Sequence, residues 1–367
     1  MGTINEIFRT YGTEYMRRFP NMPANHRKVI NAMIACRSGS LGQTVYRCED
    51  CGQIHVFDRS CGNRHCPQCQ QHKTSQWLAR QLDKRLPCSY FMITWTVPEE
   101  IRSFFRANQK VAYAALFAAA ATALKTLARD KRFIGAETPG FTAVLHTWGR
   151  QMQYHPHLHC IVPAGGLSKD RSAWLPSANT FYLPVKALSP IYRAIFKKEM
   201  ARQGLLDTID PVVWTRDWNV NCQAMEESQG ALKYLGRYVH RVAISDSRVV
   251  RHVDGRVTFS YRKVGSNRLR KTTLDVFEFI RRFLQHVLPD GFMKVRHYGF
   301  LSANCAVSIV RIRLLIIAAV EAIHSLDDLL PPRREPVAGP ACPACKGTLL
   351  YLYSIIPWLA QHARAPT

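Results

Sequence analysis

The sequence is short of acidic residues and of long apolar runs. Asp and Glu number 26 against 50 Lys and Arg, which gives a formal net charge of +24. An excess of this size favours a polyanionic partner, above all nucleic acid, over basicity kept only for solubility. The longest apolar run, residues 111–124, is mostly alanine and shorter than the roughly 20 residues that a transmembrane helix needs. These two shortages predict a soluble protein that binds nucleic acid.

Several common signatures are also missing. The sequence shows no secretory signal peptide, so its 12 cysteines favour thiols and metal sites over disulfides. No Walker A motif is present, and nucleotide hydrolysis is therefore not indicated. No internal repeat is found, and 367 residues are enough for two or three domains, each with its own core. We expect an intracellular protein.

Two C-x-x-C pairs stand fourteen residues apart near the N-terminus, Cys48/Cys51 and Cys66/Cys69. Each pair turns two thiolates towards one point, and four thiolates suit a tetrahedral zinc ion. Four unrelated buried cysteines would rarely show this spacing. We therefore predict one structural zinc ion bound by these four cysteines.

Further cysteines and histidines in the same region are enough for a second zinc ion, with Cys36, Cys61 and His65 as candidate ligands. A leftover Cys or His is more often simply buried or hydrogen-bonded, so both interpretations stay open. Near the C-terminus, Cys342 and Cys345 form half of another zinc knuckle. The sequence offers no evident second pair for it.

The stretch from Tyr154 to Pro163 places His157 and His159 on one face of a predicted strand, because strand side chains alternate between faces. Two imidazoles separated by one residue can hold a metal ion. The preceding β-rich run, residues 141–148, contains His146, and a hairpin between the two runs would set His146 opposite His157. A one-residue slip would turn His146 away. Histidines on a polar strand face need no metal, but four within fourteen residues favour one.

Tyr234 and Tyr238 lie four residues apart, a spacing that puts both phenols on one face of a helix. A deprotonated tyrosine is a competent nucleophile, although its ordinary pKa of about 10 requires help. Nearby Lys233, Arg237 and Arg241 could stabilise charge on the phenolate and on phosphate. Alone, such a pair usually reflects helix packing. Downstream of a histidine metal site in a basic chain, we favour the nucleophile.

The sequence around the histidines resembles that of the HUH nucleases, which cut and rejoin single-stranded DNA through a tyrosine. The two segments that carry the resemblance are Leu145–Gly149 and His155–Pro163. They are most similar to the rolling-circle transposases of bacterial insertion sequences that carry an N-terminal zinc-binding region. The cysteine text from Cys36 to Gln70 resembles that region, except that a histidine often found before the first knuckle is missing at Gln43–Thr44. The resemblance covers residues 35–304.

The resemblance implies a transposase that nicks and rejoins single-stranded DNA through a 5′-phosphotyrosine and leaves a free 3′-OH. It makes Tyr238 and Tyr234 candidate nucleophiles. The sequence around Tyr238 is the more similar of the two to the tyrosine motif of that family. His146, His157 and His159 become ligands of Mg²⁺ or Mn²⁺, whereas imidazoles alone suit zinc or manganese better than magnesium. The implied partner is single-stranded DNA at the transposon ends and the target, acted on in the bacterial cytoplasm at the nucleoid. A homodimer is compatible with this reading.

Two other functions fit parts of the sequence. A rolling-circle replication initiator would share the chemistry but act at a plasmid origin. A non-catalytic, zinc-dependent DNA-binding regulator would explain the charge and the knuckles. It would leave the three histidines and the two tyrosines without a role.

The predicted elements describe an α+β protein with an antiparallel sheet and helices on one side. They include one long helix, Ile101–Arg129, and a strand at Thr180–Val185. We divide the chain into a helical and zinc-ribbon module that recognises DNA, an HUH nuclease domain, a basic C-terminal DNA-binding region and a tail: 1–87, 88–247, 248–330 and 331–367. C-terminal cations near aromatic residues suit phosphate contact and base stacking. Those predicted to contact DNA are Arg262, Lys263, Arg268, Arg270, Lys294 and Arg296.

Overall fold

The computed structural model describes residues 3–225, 243–262, 266, 268–320 and 340–357 of the chain. An N-terminal region that carries one complete cysteine cluster precedes a five-stranded antiparallel sheet, and helices cover one face of that sheet. The predicted α+β class is confirmed.

The helices and strands are named in chain order. They are α1 (Ile4–Arg18), α2 (Ala24–Ala35), β1 (Gln43–Cys48), β2 (Ile54–Asp58), α3 (Pro67–Leu82), β3 (Tyr90–Thr96), α4 (Arg102–Ala107), α5 (Gln109–Arg129), β4 (Thr138–Pro139), β5 (Phe141–Trp148), β6 (Tyr154–Pro163), β7 (Gly165–Leu167), β8 (Trp174–Pro176), α6 (Val185–Arg202), β9 (Val220–Met225), β10 (Val249–Val253), β11 (Arg256–Arg262), β12 (Leu269–Asp275), α7 (Val276–Leu284), β13 (Val295–Tyr298), α8 (Ile309–Val320) and β14 (Leu349–Ile355).

The central sheet has the strand order β13-β5-β6-β3-β9, with every neighbouring pair antiparallel. β5 and β6 form the predicted hairpin, and their register sets His146 opposite His157. β3 lies on the other side of β6, where Thr96 pairs with His157 and Thr94 with His159. Both histidine strands therefore have a hydrogen-bonded neighbour on each side, which fixes their register.

One face of this sheet is covered by α5 and α6. Trp95 and Leu158 from that face are fully buried in the core that α5 helps to form. α5 is rich in alanine, which has the highest helix propensity. By length and composition α5 could cross a bilayer, but 67% of its apolar window is buried inside the protein, as in the core helix of a soluble domain. Since side chains alternate along a strand, the three histidines point to the other face.

Two predicted elements differ from the structure. The helix predicted as continuous over Ile101–Arg129 is broken at Asn108, whose backbone is not helical (φ −121°, ψ 42°). The Asn108 amide donates to the carbonyl of Phe104 at 3.2 Å, a local bond that competes with helix continuation. The strand predicted at Thr180–Val185 is also wrong. Pro184 has no N–H to give to a sheet, and α6 begins directly after it.

The N-terminal helices pack against the C-terminal half of the chain. The rings of Phe8 in α1 and Phe283 in α7 lie 5.2 Å apart, edge to face. Val257 and Phe259 of β11 are buried in the same core. Residues assigned above to the 1–87 module and to the 248–330 region thus share one hydrophobic core.

Residues 340–357, predicted as part of a tail, are folded onto the N-terminal hairpin. β14 pairs antiparallel with β1, from Gln43 opposite Ile355 to Cys48 opposite Leu349, and β2 pairs with the other edge of β1. The prediction of a tail is wrong for these residues. Their ladder partner lies far earlier in the chain, where no local pattern reveals it.

Candidate metal centre and cysteine clusters

Three histidines from β5 and β6 converge on one point. The ring centroid of His146 lies 5.3 Å from that of His157 and 4.7 Å from that of His159. The centroids of His157 and His159 are 4.9 Å apart. One nitrogen from each ring lies within 4.8 Å of the other two. The strand alternation and the hairpin register together produce this cluster, and the three rings fit a single divalent metal ion.

A hydrogen bond fixes the tautomer of His157. Its Nδ1 lies 2.7 Å from the backbone carbonyl oxygen of His155. A carbonyl oxygen can only accept, so Nδ1 carries the proton and Nε2 keeps its lone pair. A metal-binding histidine commonly donates its other ring nitrogen in this way, which orients the ring and raises its basicity as a ligand.

His159 has a comparable support from the neighbouring strand. Its Nδ1 lies 3.2 Å from Oγ1 of Thr94. No motif in the sequence marks Thr94 as part of this site. Thr94 and Thr96 are two residues apart in a strand, so their side chains lie on one face. Once β3 is paired with β6, that face is the one that carries the histidines.

Burial keeps the imidazoles neutral. It lowers the pKa of His157 to about 4 and the pKa of His159 to about 3, because a poorly hydrated site penalises the charged ring. The neighbouring His155 also has its pKa lowered by burial, to about 3. These rings therefore hold unprotonated nitrogen at pH 7, the form that binds a metal.

Aromatic packing holds the third ligand. His146 is only 1% exposed, and its ring stacks on Trp148 with centroids 4.9 Å apart and planes 24° apart. Nζ of Lys294 lies 4.9 Å from the centre of the Trp148 ring. The predicted DNA contact Lys294 is thus engaged in a cation–π contact next to the histidine cluster.

We predict that Thr94→Val weakens the metal site without removing a ligand. Valine keeps the shape of threonine but loses the oxygen beside Nδ1 of His159. Loss of such a support typically costs about 10- to 100-fold in metal affinity. The Mn²⁺ concentration that gives half-maximal DNA cleavage should rise by that factor, while cleavage at saturating Mn²⁺ largely recovers. Thr96→Val, on the same face but without this bond to His159, is the control; equal metal requirements in both variants would contradict the assignment.

Cys36, Cys61, Cys66 and Cys69 form the first cysteine cluster. Its sulfur atoms are separated by 3.6 Å (Cys36 to Cys69 and Cys61 to Cys69) and 3.7 Å (Cys66 to Cys36). Thiolates about 2.3 Å from a tetrahedral zinc ion lie about 3.8 Å apart. The cluster is joined to α1 by Asn5, whose buried amide donates to Sγ of Cys66 at 3.5 Å.

A second cysteine cluster combines the first knuckle with the C-terminal pair. Sγ of Cys48 lies 3.4 Å from Sγ of Cys345, and Sγ of Cys51 lies 3.7 Å from Sγ of Cys342. All four sulfur atoms lie within 4.8 Å of one another. The half knuckle that lacked a partner in the sequence thus has one in the structure.

The predicted ligand set for the first zinc ion is therefore wrong in its pairing, because the fold sends the two N-terminal knuckles to different clusters. The four cysteines concerned are Cys48, Cys51, Cys66 and Cys69. Cys36 and Cys61, predicted for a second ion, complete the first cluster instead. His65 is not in it, since its Nε2 accepts a hydrogen bond from the backbone N–H of Leu288 at 3.4 Å.

We predict that Cys66→Ser removes one zinc ion and unfolds the N-terminal module. Cys66 is fully buried in the core shared by α1, α2 and α7. Structural zinc contributes about 10–16 kcal/mol in small zinc-binding peptides, which equals or exceeds the net stability of a whole domain. Elemental analysis and thermal unfolding measure both effects. Cys305→Ser, outside both clusters, should change neither, and full zinc content in Cys66→Ser would refute the site.

The predicted nucleophiles Tyr234 and Tyr238 lie outside the described residues, as do Lys233, Arg237 and Arg241. Lys263 lies outside them too. Of the other predicted DNA contacts, Arg262, Arg268 and Arg270 are exposed at the end of β11 and around the start of β12. Arg296 instead packs its guanidinium 4.3 Å from the centre of the Phe117 ring.

The fold thus presents two four-cysteine clusters suited to zinc and, on the face of the central antiparallel sheet opposite α5 and α6, a three-histidine centre suited to a divalent metal ion. Comparison with known proteins agrees. Residues 140–308 match the family described as "Putative transposase", and residues 7–97 match the family described as "Transposase zinc-binding domain", which ends before Cys342. The chain belongs to the transposases of the IS91 and IS801 insertion-sequence family.

Two curated relatives illustrate the similarity. "Putative transposase y4qJ" of Sinorhizobium fredii is 38% identical over 318 residues, which cover 81% of this chain and 80% of that protein. "Transposase for insertion sequence element IS801" of Pseudomonas savastanoi pv. phaseolicola is 25% identical over 297 residues, or 75% of this chain and 70% of that protein. No solved structure matches this chain.

Proposed function

We propose that this transposase nicks and rejoins single-stranded DNA through a 5′-phosphotyrosine intermediate and so carries out rolling-circle transposition of an insertion sequence. The observation that carries the proposal is the convergence of His146, His157 and His159 on adjacent strands of a supported sheet. One nitrogen of each ring faces a common point, and burial keeps His157 and His159 unprotonated at pH 7 by lowering their pKa values. A regulator that only binds DNA has no use for such a centre.

The three histidines would hold Mg²⁺ or Mn²⁺, which supplies polarisation of a phosphate oxygen when bound. His157 and His159 orient their rings through the carbonyl of His155 and the hydroxyl of Thr94. His146 is held by the stack on Trp148. The chain's part is to keep these nitrogens directed at one common metal position before DNA arrives.

Tyr238 and Tyr234 are the proposed nucleophiles. The phenolate oxygen of one tyrosine attacks phosphorus, the bond from phosphorus to the 3′ oxygen breaks, and the 3′ oxygen takes up a proton to become a free 3′-OH. The 5′-phosphate stays on the tyrosine, so a second DNA 3′-OH can reverse the attack and reseal the strand. One phosphodiester is exchanged for another, and no nucleotide hydrolysis is required. With two tyrosines, one can hold the first end while the other cuts again.

The positive charge would hold the DNA. Three exposed arginines lie close together in the chain and suit phosphate contacts: Arg262, Arg268 and Arg270. We propose the same role for Lys263 and for the cations that neighbour the tyrosines in sequence, Lys233, Arg237 and Arg241. Lys294 lies against the Trp148 ring beside the histidine cluster, so we assign it to the wall of the site. Arg296 packs on Phe117 of α5, on the face of the sheet opposite the histidines, and we do not assign it a DNA contact. Single-stranded DNA at the transposon ends and target is the proposed substrate, and a homodimer would bring two ends together in the cytoplasm.

The experiment that tests this function uses a labelled single-stranded oligonucleotide carrying the transposon end, with Mn²⁺. A covalent DNA adduct that survives denaturation and maps to a tyrosine supports the proposal. Binding without an adduct would favour the regulator. A replication initiator would form the same adduct, but on its plasmid origin rather than on transposon ends.

A further inference from the structure

We propose that a second zinc ion, bound by Cys48, Cys51, Cys342 and Cys345, fastens the C-terminal residues 340–357 to the β1–β2 hairpin. This zinc site draws its ligands from both ends of the chain. Residues 340–357 then form one small zinc-binding module with residues 43–58, and they are not part of the nuclease domain.

The sulfur separations identify the bond type. The contacts of 3.4 and 3.7 Å across the second cysteine cluster are far longer than the roughly 2.05 Å of a disulfide. They are close to the roughly 3.8 Å edge of a tetrahedron of zinc-bound thiolates. Four sulfur ligands in this arrangement select zinc over the hard cations Mg²⁺ and Ca²⁺.

Both halves of the cluster have the same backbone geometry. In the first, the N–H of Gly52 donates to the carbonyl of Cys48 at 3.0 Å, and the N–H of Cys48 donates to the carbonyl of Gln53 at 2.9 Å. In the second, Lys346 donates to Cys342 at 2.9 Å, and Cys342 donates to Gly347 at 2.8 Å.

The residue that follows the second cysteine also adopts the same conformation in each half. Gly52 has φ +71° and Lys346 has φ +67°, in the left-handed region where a lysine is rare. Two knuckles far apart in sequence thus fold alike and face each other. The lysine adopts the conformation that glycine has at the corresponding place, so the two halves are equivalent knuckles that present their thiols in the same way.

The module formed by residues 43–58 and 340–357 has too small a hydrophobic core to be stable without further cross-links. Within residues 43–58 and 340–357, the buried side chains are those of Val45, Cys48, Cys342 and Leu349. Domains with so little buried apolar surface usually need a metal or disulfides for stability. Two of the four buried side chains are themselves cysteines of the cluster, which places the stabilising centre there.

A histidine supports the site from outside. Nε2 of His55 in β2 lies 3.2 Å from Sγ of Cys342, a contact that suits an N–H donor to a metal-bound thiolate. The same β2 residue faces Tyr46 across the β1 ladder. The site is thus tied to β1 through Cys48 and to β2 through His55.

Zinc content of the full-length protein tests the proposal. Elemental analysis should find two zinc ions per chain, one in the double variant Cys342→Ser/Cys345→Ser, and two in the control Cys305→Ser. Trypsin should cut after the exposed Lys346 much faster in the double variant than in the native protein. Two zinc ions retained by the double variant would overturn the proposal.

A second measurement needs no variant, and it decides the matter if the double variant does not fold. Cys51 and Cys345 are exposed, so as free thiols they would react quickly with an alkylating reagent. Zinc binding should slow their alkylation at least tenfold in the native protein, and a chelator should remove that protection. Cys305 should react at the same rate with and without chelator. Rapid alkylation of Cys51 and Cys345 in the native, untreated protein would overturn the proposal.

Discussion

Replacing His157 with alanine is expected to slow DNA cleavage about a thousandfold while single-strand affinity changes by less than about threefold. Metal polarisation of a phosphate contributes several kcal/mol to a transition state, and each 1.36 kcal/mol is a factor of ten in rate. Affinity depends instead on many Lys and Arg contacts to phosphate, none of which is removed. His159→Ala should behave in the same way.

The matched control for this result is His155→Ala. The His155 ring lies 5.0 Å from that of His157 but is not one of the three converging ligands. Its carbonyl, which orients His157, belongs to the backbone and survives the substitution. Cleavage should stay within a few-fold of the native rate. If His157→Ala lost binding and cleavage equally, the histidines would be structural, and the metal centre would have to be abandoned.

The double variant Tyr234→Phe/Tyr238→Phe should form no covalent DNA adduct. Phenylalanine keeps the ring, so any packing role is preserved, but the attacking oxygen is gone and no other group in the ring can replace it. Denaturing electrophoresis of protein with labelled oligonucleotide measures the adduct, and thermal unfolding should be unchanged.

The single variants separate the two tyrosines. If both act, one single variant should still nick DNA but fail to complete strand transfer, because the second attack has lost its nucleophile. Tyr261→Phe, on β11 and outside the tyrosine pair, should retain full activity. An adduct formed by the double variant would place the nucleophile elsewhere in the chain, and the mechanism would then be withdrawn.

The histidine centre was predictable because everything that builds it is local. His146, His157 and His159 lie within fourteen residues, and alternation plus one hairpin turn fixes their common face. The support from Thr94 needed one further fact, the pairing of β3 with β6. That pairing is a contact between distant segments, which a periodicity analysis of single segments does not reveal.

The zinc ligands show where local reasoning stops. The two C-x-x-C pairs are close together in sequence and were predicted to share one zinc ion. In the structure each pair instead lies beside two cysteines from elsewhere in the chain. Spacing tells which thiols can turn together but not which pairs meet. The break at Asn108 is a different failure. The alanine-rich helix pattern was strong, but the Asn108 backbone is not helical, and its side chain makes a local bond to the Phe104 carbonyl that competes with the helix.

The pairing of β14 with β1 also constrains how the protein is made. Cys48 and Cys345 are 297 residues apart, and a ribosome adding about 5–20 residues per second takes about 15–60 s to cover that distance. Throughout that time the β1–β2 hairpin has one edge without its partner strand, and two of its thiols lack their neighbours. A prematurely terminated chain never obtains them. The β14-β1-β2 sheet can therefore be completed only after residue 355 has been synthesised, and the paired sheet reports that translation has passed that point.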